Sequence, residues 1–192
     1  MPMSDPAPDG LRFVQDLVNT AIESRAYDPE HDRLADPRAA REWLRQALDE
    51  WAAATGTPAP LVTLRPADLA AVQELRERLR AGLRAGARNA PATTPRSGLV
   101  AGGDLRLVVA PDGRMRYLPA SGDAHAIAEL VAAETLLAQA RGSWPHLKTC
   151  ANPLCGVCFY DTSPNRSRVW HDTRTCGNTS NLRASRARRR AA

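Results

Sequence analysis

Five residues near the C-terminal end have the types and spacing of a metal site. Cys150, Cys155, Cys158 and Cys176 are the only cysteines of the 192-residue chain, and His171 falls among them, giving C-x4-C-x2-C-x12-H-x4-C. Zinc takes four nitrogen or sulfur donors at tetrahedral corners, and two close pairs a dozen or so residues apart can supply them from two short turns. Small buried cysteines need not cluster in the last 43 residues, and a disulfide framework belongs to small secreted domains. A structural zinc site is expected. Two ligand sets fit the spacing: Cys155, Cys158, His171 and Cys176, or Cys150, Cys155, His171 and Cys176. Val157-Cys158-Phe159-Tyr160, bounded by Gly156 and Asp161-Thr162-Ser163-Pro164, reads as a short strand. That favours the second set, with Cys158 an apolar strand residue. Either set is closed by four protein ligands, which argues against a zinc hydrolase.

Charge singles out the same region. From Lys148 onward nine basic residues face two acidic ones, Asp161 and Asp172, for a net +7. Residues 1–147 carry 17 basic and 19 acidic groups, net −2. The basic balance of the chain thus belongs to its end, and such a shift marks a change of domain or role. Asn165-Arg166-Ser167-Arg168-Val169-Trp170, between the two ligand pairs, mixes phosphate- and guanine-pairing arginines with small polar donors and an indole. Asn178 to Arg190 reads as a helix capped by Asn178 or Thr179, with Arg183, Arg186 and Arg190 on one face. A basic helix leaving a zinc site is a DNA-reading element. The candidate nucleic-acid contacts are Asn165, Arg166, Arg168, Trp170, Arg174, Asn178, Arg183, Arg186 and Arg190. RNA is not excluded by charge, and Trp170 and Tyr160 would then stack on unpaired bases.

Cys150-x4-Cys155, Phe159-x-Asp161-Thr162-Ser163-x-Asn165-Arg166-Ser167-Arg168-x-Trp170 and Cys176-Gly177-Asn178 together resemble the CGNR zinc finger over residues 148–190. That module closes a family of bacterial stress-induced transcription regulators that also carry an N-terminal ABATE domain. Phe13-Val14-Gln15-Asp16-Leu17-Val18-Asn19-Thr20 resembles the opening helix of that domain. The resemblance implies Cys150, Cys155, His171 and Cys176 as ligands of one structural Zn2+ per protomer, with an apolar residue where Cys158 stands. Two departures are visible. The third ligand, usually cysteine, is His171, an equally good donor. Thr179 replaces the final arginine of the motif, which removes one basic contact and puts the transfer of any sequence preference in doubt.

The elements that must carry this module are mostly helical. Residues 14, 17, 18, 21 and 22 give the first helix one apolar face, with Asp16 and Asn19 off it. Glu23 to Arg33 reads as a loop. Asp36-Pro37 is a cap and first turn, opening a helix with Ala40, Trp43, Leu44, Ala47, Leu48 and Trp51 on one stripe that Pro58 and Pro60 follow. A third helix starts near Pro66, with Leu69, Val72, Leu75, Leu79 and Leu83 inward. Gly86 to Gly103 reads as a loop. Leu105 to Val109 and Met115 to Leu118 read as a hairpin around Pro111-Asp112-Gly113. Ala124 to Ala140, apolar nearly all round, reads as the central buried helix. Glu134 is the odd residue within it and is placed at a solvated edge. Asp16 and Asn19 are read as capping or pairing with a loop. These three are the candidate ligand or structural polar residues of the N-terminal part.

The expected fold is mainly α with a small β-hairpin (α+β): a disordered start at 1–9, a helical ABATE-like domain at 10–147 that folds on its own and senses or oligomerises, and a zinc-binding module with a basic helix at 148–192. No catalytic constellation emerges. Ser143, Ser163 and His146 lack a nucleophile-elbow context, His31 and His125 stand alone, and no dinucleotide or P-loop glycine pattern occurs. Trp43, Trp51, Trp144 and Trp170 read as core or module contacts. There is no basic-then-apolar leader and no apolar run near ~18 residues, so a cytoplasmic protein away from membranes is expected. The function expected is that of a zinc-dependent, DNA-binding transcription regulator, not an enzyme. Its expected partners are duplex DNA, a small-molecule effector and a second copy of the chain. An RNA-binding factor, or a small-molecule-binding protein with the zinc module as docking arm, are the alternatives.

Overall fold

The computed structural model describes residues 5–21, 32–85, 103–152, 154–180, 182 and 189. In chain order these form α1 (Leu11–Val18), α2 (Pro37–Thr55), α3 (Leu69–Ala85), β1 (Leu105–Val109), β2 (Met115–Pro119), α4 (Ala124–Ala140), β3 (Leu147–Thr149) and β4 (Cys158–Tyr160). Local chemistry sets the ends of the helices. Asp36 accepts from the Ala39 N–H at 2.7 Å, and Pro37 occupies the first turn, where its missing N–H costs no bond. Gly56 ends α2 at φ +67°, which only a residue without a Cβ adopts freely. Asp123 caps α4 through the His125 N–H. A 3-10 turn at Pro66–Asp68 leads into α3, closed by the Asp68 carboxylate on the Arg65 N–H at 2.9 Å.

The predicted stripe of α2 is buried throughout, from Ala40 to Trp51. The central element differs from the expectation. α4 leaves Leu136 65% exposed, whereas α1 is enclosed by α2, α3, α4 and β4. Its eight residues bury Leu11, Phe13, Val14, Gln15, Leu17 and Val18, nearly every side of the helix. Charged groups serve both of its ends. Arg80 of α3, buried, donates to the carbonyls of Val18 and Ala21, where a cation suits the helix dipole. At the other end the Glu134 carboxylate lies against Gly10, the N-cap residue, at the positive pole. Arg76, also buried, makes a bidentate pair with Asp32 at 2.6 and 2.9 Å and donates to Thr20 Oγ1.

Three expectations are corrected. Glu134 is not at a solvated edge: it is 2% exposed and accepts from Trp51 Nε1 at 2.5 Å and from the Tyr117 hydroxyl. Burial pushes its carboxyl above the usual range, and the two donors oppose that only in part. The start of the chain is not disordered from Asp5 on. Ala7 is buried with its N–H on Gln15 Oε1 at 2.6 Å, and Asp5 pairs with Arg168 at 2.8 Å. A second hairpin joins the expected one. β1 pairs with β2 antiparallel, Leu107 opposite Tyr117, and β3 pairs with β4, Lys148 opposite Phe159.

The second hairpin runs across the 147/148 boundary. Leu147 and Cys158 belong to the same core cluster as α1 to α4. Asn19, the C-cap residue of α1, clamps Cys158 from both sides: its Oδ1 accepts from the Cys158 N–H at 2.8 Å and its Nδ2 donates to the Cys158 carbonyl at 2.9 Å. Among the described residues no helix is long and apolar enough to cross a membrane.

Candidate metal centre

Two loops converge beyond the β3–β4 hairpin. The first begins where the ladder ends, with the Cys150 N–H on the Val157 carbonyl at 2.8 Å. It turns through Asn152, whose carbonyl accepts from the Cys155 N–H at 2.9 Å, and Gly156 at φ +67° lets the chain re-enter β4. The second loop is tied to the first by the Ala151 N–H on the Val169 carbonyl at 2.8 Å. It delivers His171, then Asp172, whose Oδ1 accepts from the Arg174 N–H at 2.7 Å and opens a π-type turn at Thr173–Gly177 that carries Cys176.

The ligand atoms of Cys150, Cys155, His171 and Cys176 all lie within 4.8 Å of one another. Cys155 Sγ is 3.3 Å from His171 Nδ1. A zinc ion bound at ~2.0–2.3 Å holds its tetrahedral donors roughly 3.3–3.8 Å apart, so the donor set and its spacing fit that ion after a small contraction. The four residues would close the coordination sphere, and the ion would supply one thing, a charge-neutralising cross-link between the two loops. Cys158 stands outside the group, fully buried in the helical core. The crowding of thiols shows in their acidity. The Cys155 thiol donating to Cys150 lowers the pKa of the latter's thiol well below its usual range, and the same bond raises that of Cys155. Asn152 Nδ2 donates to Cys176 Sγ at 3.4 Å, an outer contact of the sort that orients metal ligands. The sequence offered no signal for it beyond an amide inside the first loop.

The basic residues divide into two groups. Arg168 is half-buried: it pairs with Asp5, donates to the His171 carbonyl at 2.9 Å and lies 5.4 Å above the Phe159 ring. Trp170 is also half-buried and packs on the cysteine cluster over Gly177, where a Cβ would press against Thr173 and the indole. Asn165, Arg166, Arg174 and Asn178 are exposed. Arg166 holds φ +49°, a left-handed conformation that a residue with a side chain rarely adopts. Arg183, Arg186 and Arg190 lie outside the described residues. The described part of the last helix begins after Cys176 without the expected cap. Asp172 caps the preceding turn, while Asn178 is already helical and the Thr179 hydroxyl donates to the Thr175 carbonyl at 2.7 Å.

Lys148 and Asp161 were not among the expected site residues, and together they shape the loop that carries Arg166. Asp161, wholly buried, accepts from Lys148 Nζ at 2.6 Å, from the Ser163 N–H and hydroxyl, and from the Arg168 N–H at 3.0 Å. Burial alone would raise its carboxyl, but these donors outweigh it and hold it at about 2. Lys148 Nζ also donates to the carbonyls of Arg166 and Arg168. Of the N-terminal candidates, Asn19 is the clamp on Cys158. Among the described residues Asp16 pairs with Arg12 at 3.4 Å, and burial pushes it up to about 6.

A helical N-terminal region bearing a Cys3His module of this geometry defines a two-part protein with a zinc-finger end. The CGNR zinc finger matches residues 146–189. The family described as "ABATE: Putative stress-induced transcription regulator" matches residues 11–151, and the chain belongs to that family. The two matched segments overlap across β3, the strand that joins the parts. No curated protein matches the chain.

Proposed function

We propose that the protein is a DNA-binding transcription regulator whose C-terminal module is folded by one structural zinc ion held by Cys150, Cys155, His171 and Cys176. The observation that carries this reading is the convergence of those four donors within 4.8 Å beside a loop that exposes Arg166. The left-handed backbone at Arg166 supports a contact role, since such strain persists where surrounding structure enforces it and gathers at functional sites. Arg166, Arg174, Asn165 and Asn178 are the outer contacts, and the arginines after Leu182 add phosphate pairing. Arg168 acts from within by fixing the His171 carbonyl. The alternative on RNA needs Trp170 and Tyr160 to stack on bases. Both rings already have neighbours, Trp170 the cysteine cluster and Tyr160 the His146 ring at 5.4 Å, which favours duplex DNA.

Fluorescence anisotropy of the zinc-loaded protein on duplex DNA, single strands and structured RNA tests the choice. The expected order is duplex first. Arg166→Ala should cost about 1–3 kcal/mol on a preferred duplex if it reads a base, and little on others. Tighter binding to RNA, lost in Trp170→Ala, would overturn the assignment.

A further inference from the structure

A cavity of about 270 Å3 opens between the start of α1, the end of α2, β2 and α4. Glu134 lies at its floor and Arg114, Arg116 and Arg141 line it. Both protein donors to Glu134, Trp51 and Tyr117, bind the same oxygen, Oε1. Among the described residues no hydrogen bond reaches Oε2. Glu134 lines the cavity, so Oε2 is the oxygen left for a donor supplied by an occupant. Gly10 keeps the approach open, because a Cβ there would fall on the carboxyl group itself.

The lining also carries three cations, Arg114, Arg116 and Arg141, with Asp9 beside the last of them. Arg141 pairs with Asp9 at 2.9 Å and Arg116 with Asp112 at 2.8 Å. Both are surface pairs of the kind that contributes little, so either guanidinium can share an anion. Arg114 is exposed and makes no ion pair among the described residues. A lone carboxylate entering the cavity would meet Glu134, and a lone amine would meet three guanidiniums. Only a bipolar molecule satisfies both, and the volume is below the roughly 300–1,000 Å3 of drug-sized sites, so it must be small.

We propose that this cavity binds a small α-amino acid, its ammonium on Glu134 Oε2 and its carboxylate on the arginines, Arg114 foremost. Its meaning as an effector site rests on the regulator reading; the binding chemistry does not. Four elements meet at the cavity, so an occupant would cross-link α1, α2, β2 and α4.

The test is thermal melting of the zinc-loaded full chain with each proteinogenic L-amino acid. For any that stabilises it, the decarboxylated amine and the deaminated acid are tried at equal concentration. At least one amino acid should raise Tm in proportion to the logarithm of its concentration, and its amine and acid analogues should not. By calorimetry Glu134→Gln and Arg114→Ala should each weaken binding about tenfold. Arg114 sits on the surface, so its variant remains informative even where Glu134→Gln loosens Trp51 and Tyr117. The proposal is overturned by absence of a shift with every amino acid, by equal binding of either analogue, or by unchanged affinity in Arg114→Ala. DNA binding is read separately, so its failure would leave this result standing.

Discussion

Cys158 and Cys176 are chemically the same side chain in different settings, one a core residue under Asn19 and the other in the Cys3His cluster and touched by Asn152. Elemental analysis of protein purified without chelators should therefore find zinc retained in Cys158→Ala and His171→Cys and mostly lost in Cys176→Ser. Metal loss in Cys158→Ala would reverse the ligand assignment. Asp16 gives a pH prediction. Its folded value, about 6, lies above the ordinary 3.8, so the folded state binds the proton more tightly and stability rises as pH falls from 7 towards 4. Asp16→Asn should raise stability at pH 7.5 by about 1 kcal/mol, after discounting for its partial exposure, and the gain should vanish near pH 4. A gain independent of pH would contradict this. The clustering of Cys150, Cys155, His171 and Cys176 was legible because spacing is a one-dimensional signal. The burial of Glu134 was not, because its partners Trp51 and Tyr117 are 83 and 17 residues away.

At the scale of elements, α1 depends on groups its own sequence does not contain. Asn19→Ala would remove both bonds to Cys158 and orphan a buried N–H, at a cost of about 1–3 kcal/mol. Urea melts of the zinc-loaded protein should show it, whereas His125→Ala on the surface should leave the midpoint in place. The stripe of α2 could be read from the sequence because its apolar residues recur at helical period and Asp36-Pro37 marks the start. α3 was legible only in part. Its buried face includes Arg76 and Arg80, which a count of apolar residues passes over. β3 was missed because three residues, one of them Lys148, make no alternation to detect. Its lysine is held by Asp161 from beyond β4, a pairing across the hairpin that no local pattern announces.

For the molecule as a whole, the β3–β4 hairpin makes the two parts share a core. A fragment ending at residue 147 would cut β3 and remove Cys158 from under Asn19. We therefore expect it to melt below the full chain, and a fragment that melts at the same temperature would show the module to be a detachable appendage. The central claim is that the metal folds a DNA-binding surface, and the direct test is duplex affinity against salt for zinc-loaded wild type and for Cys176→Ser. Counterion release gives a slope of roughly −0.9 per phosphate neutralised, and about four to six contacts per protomer are expected. The wild type should show that steep slope, and Cys176→Ser an affinity at least about tenfold weaker on the same duplex. Equal binding by the two proteins, or no salt-dependent binding by either, would contradict it.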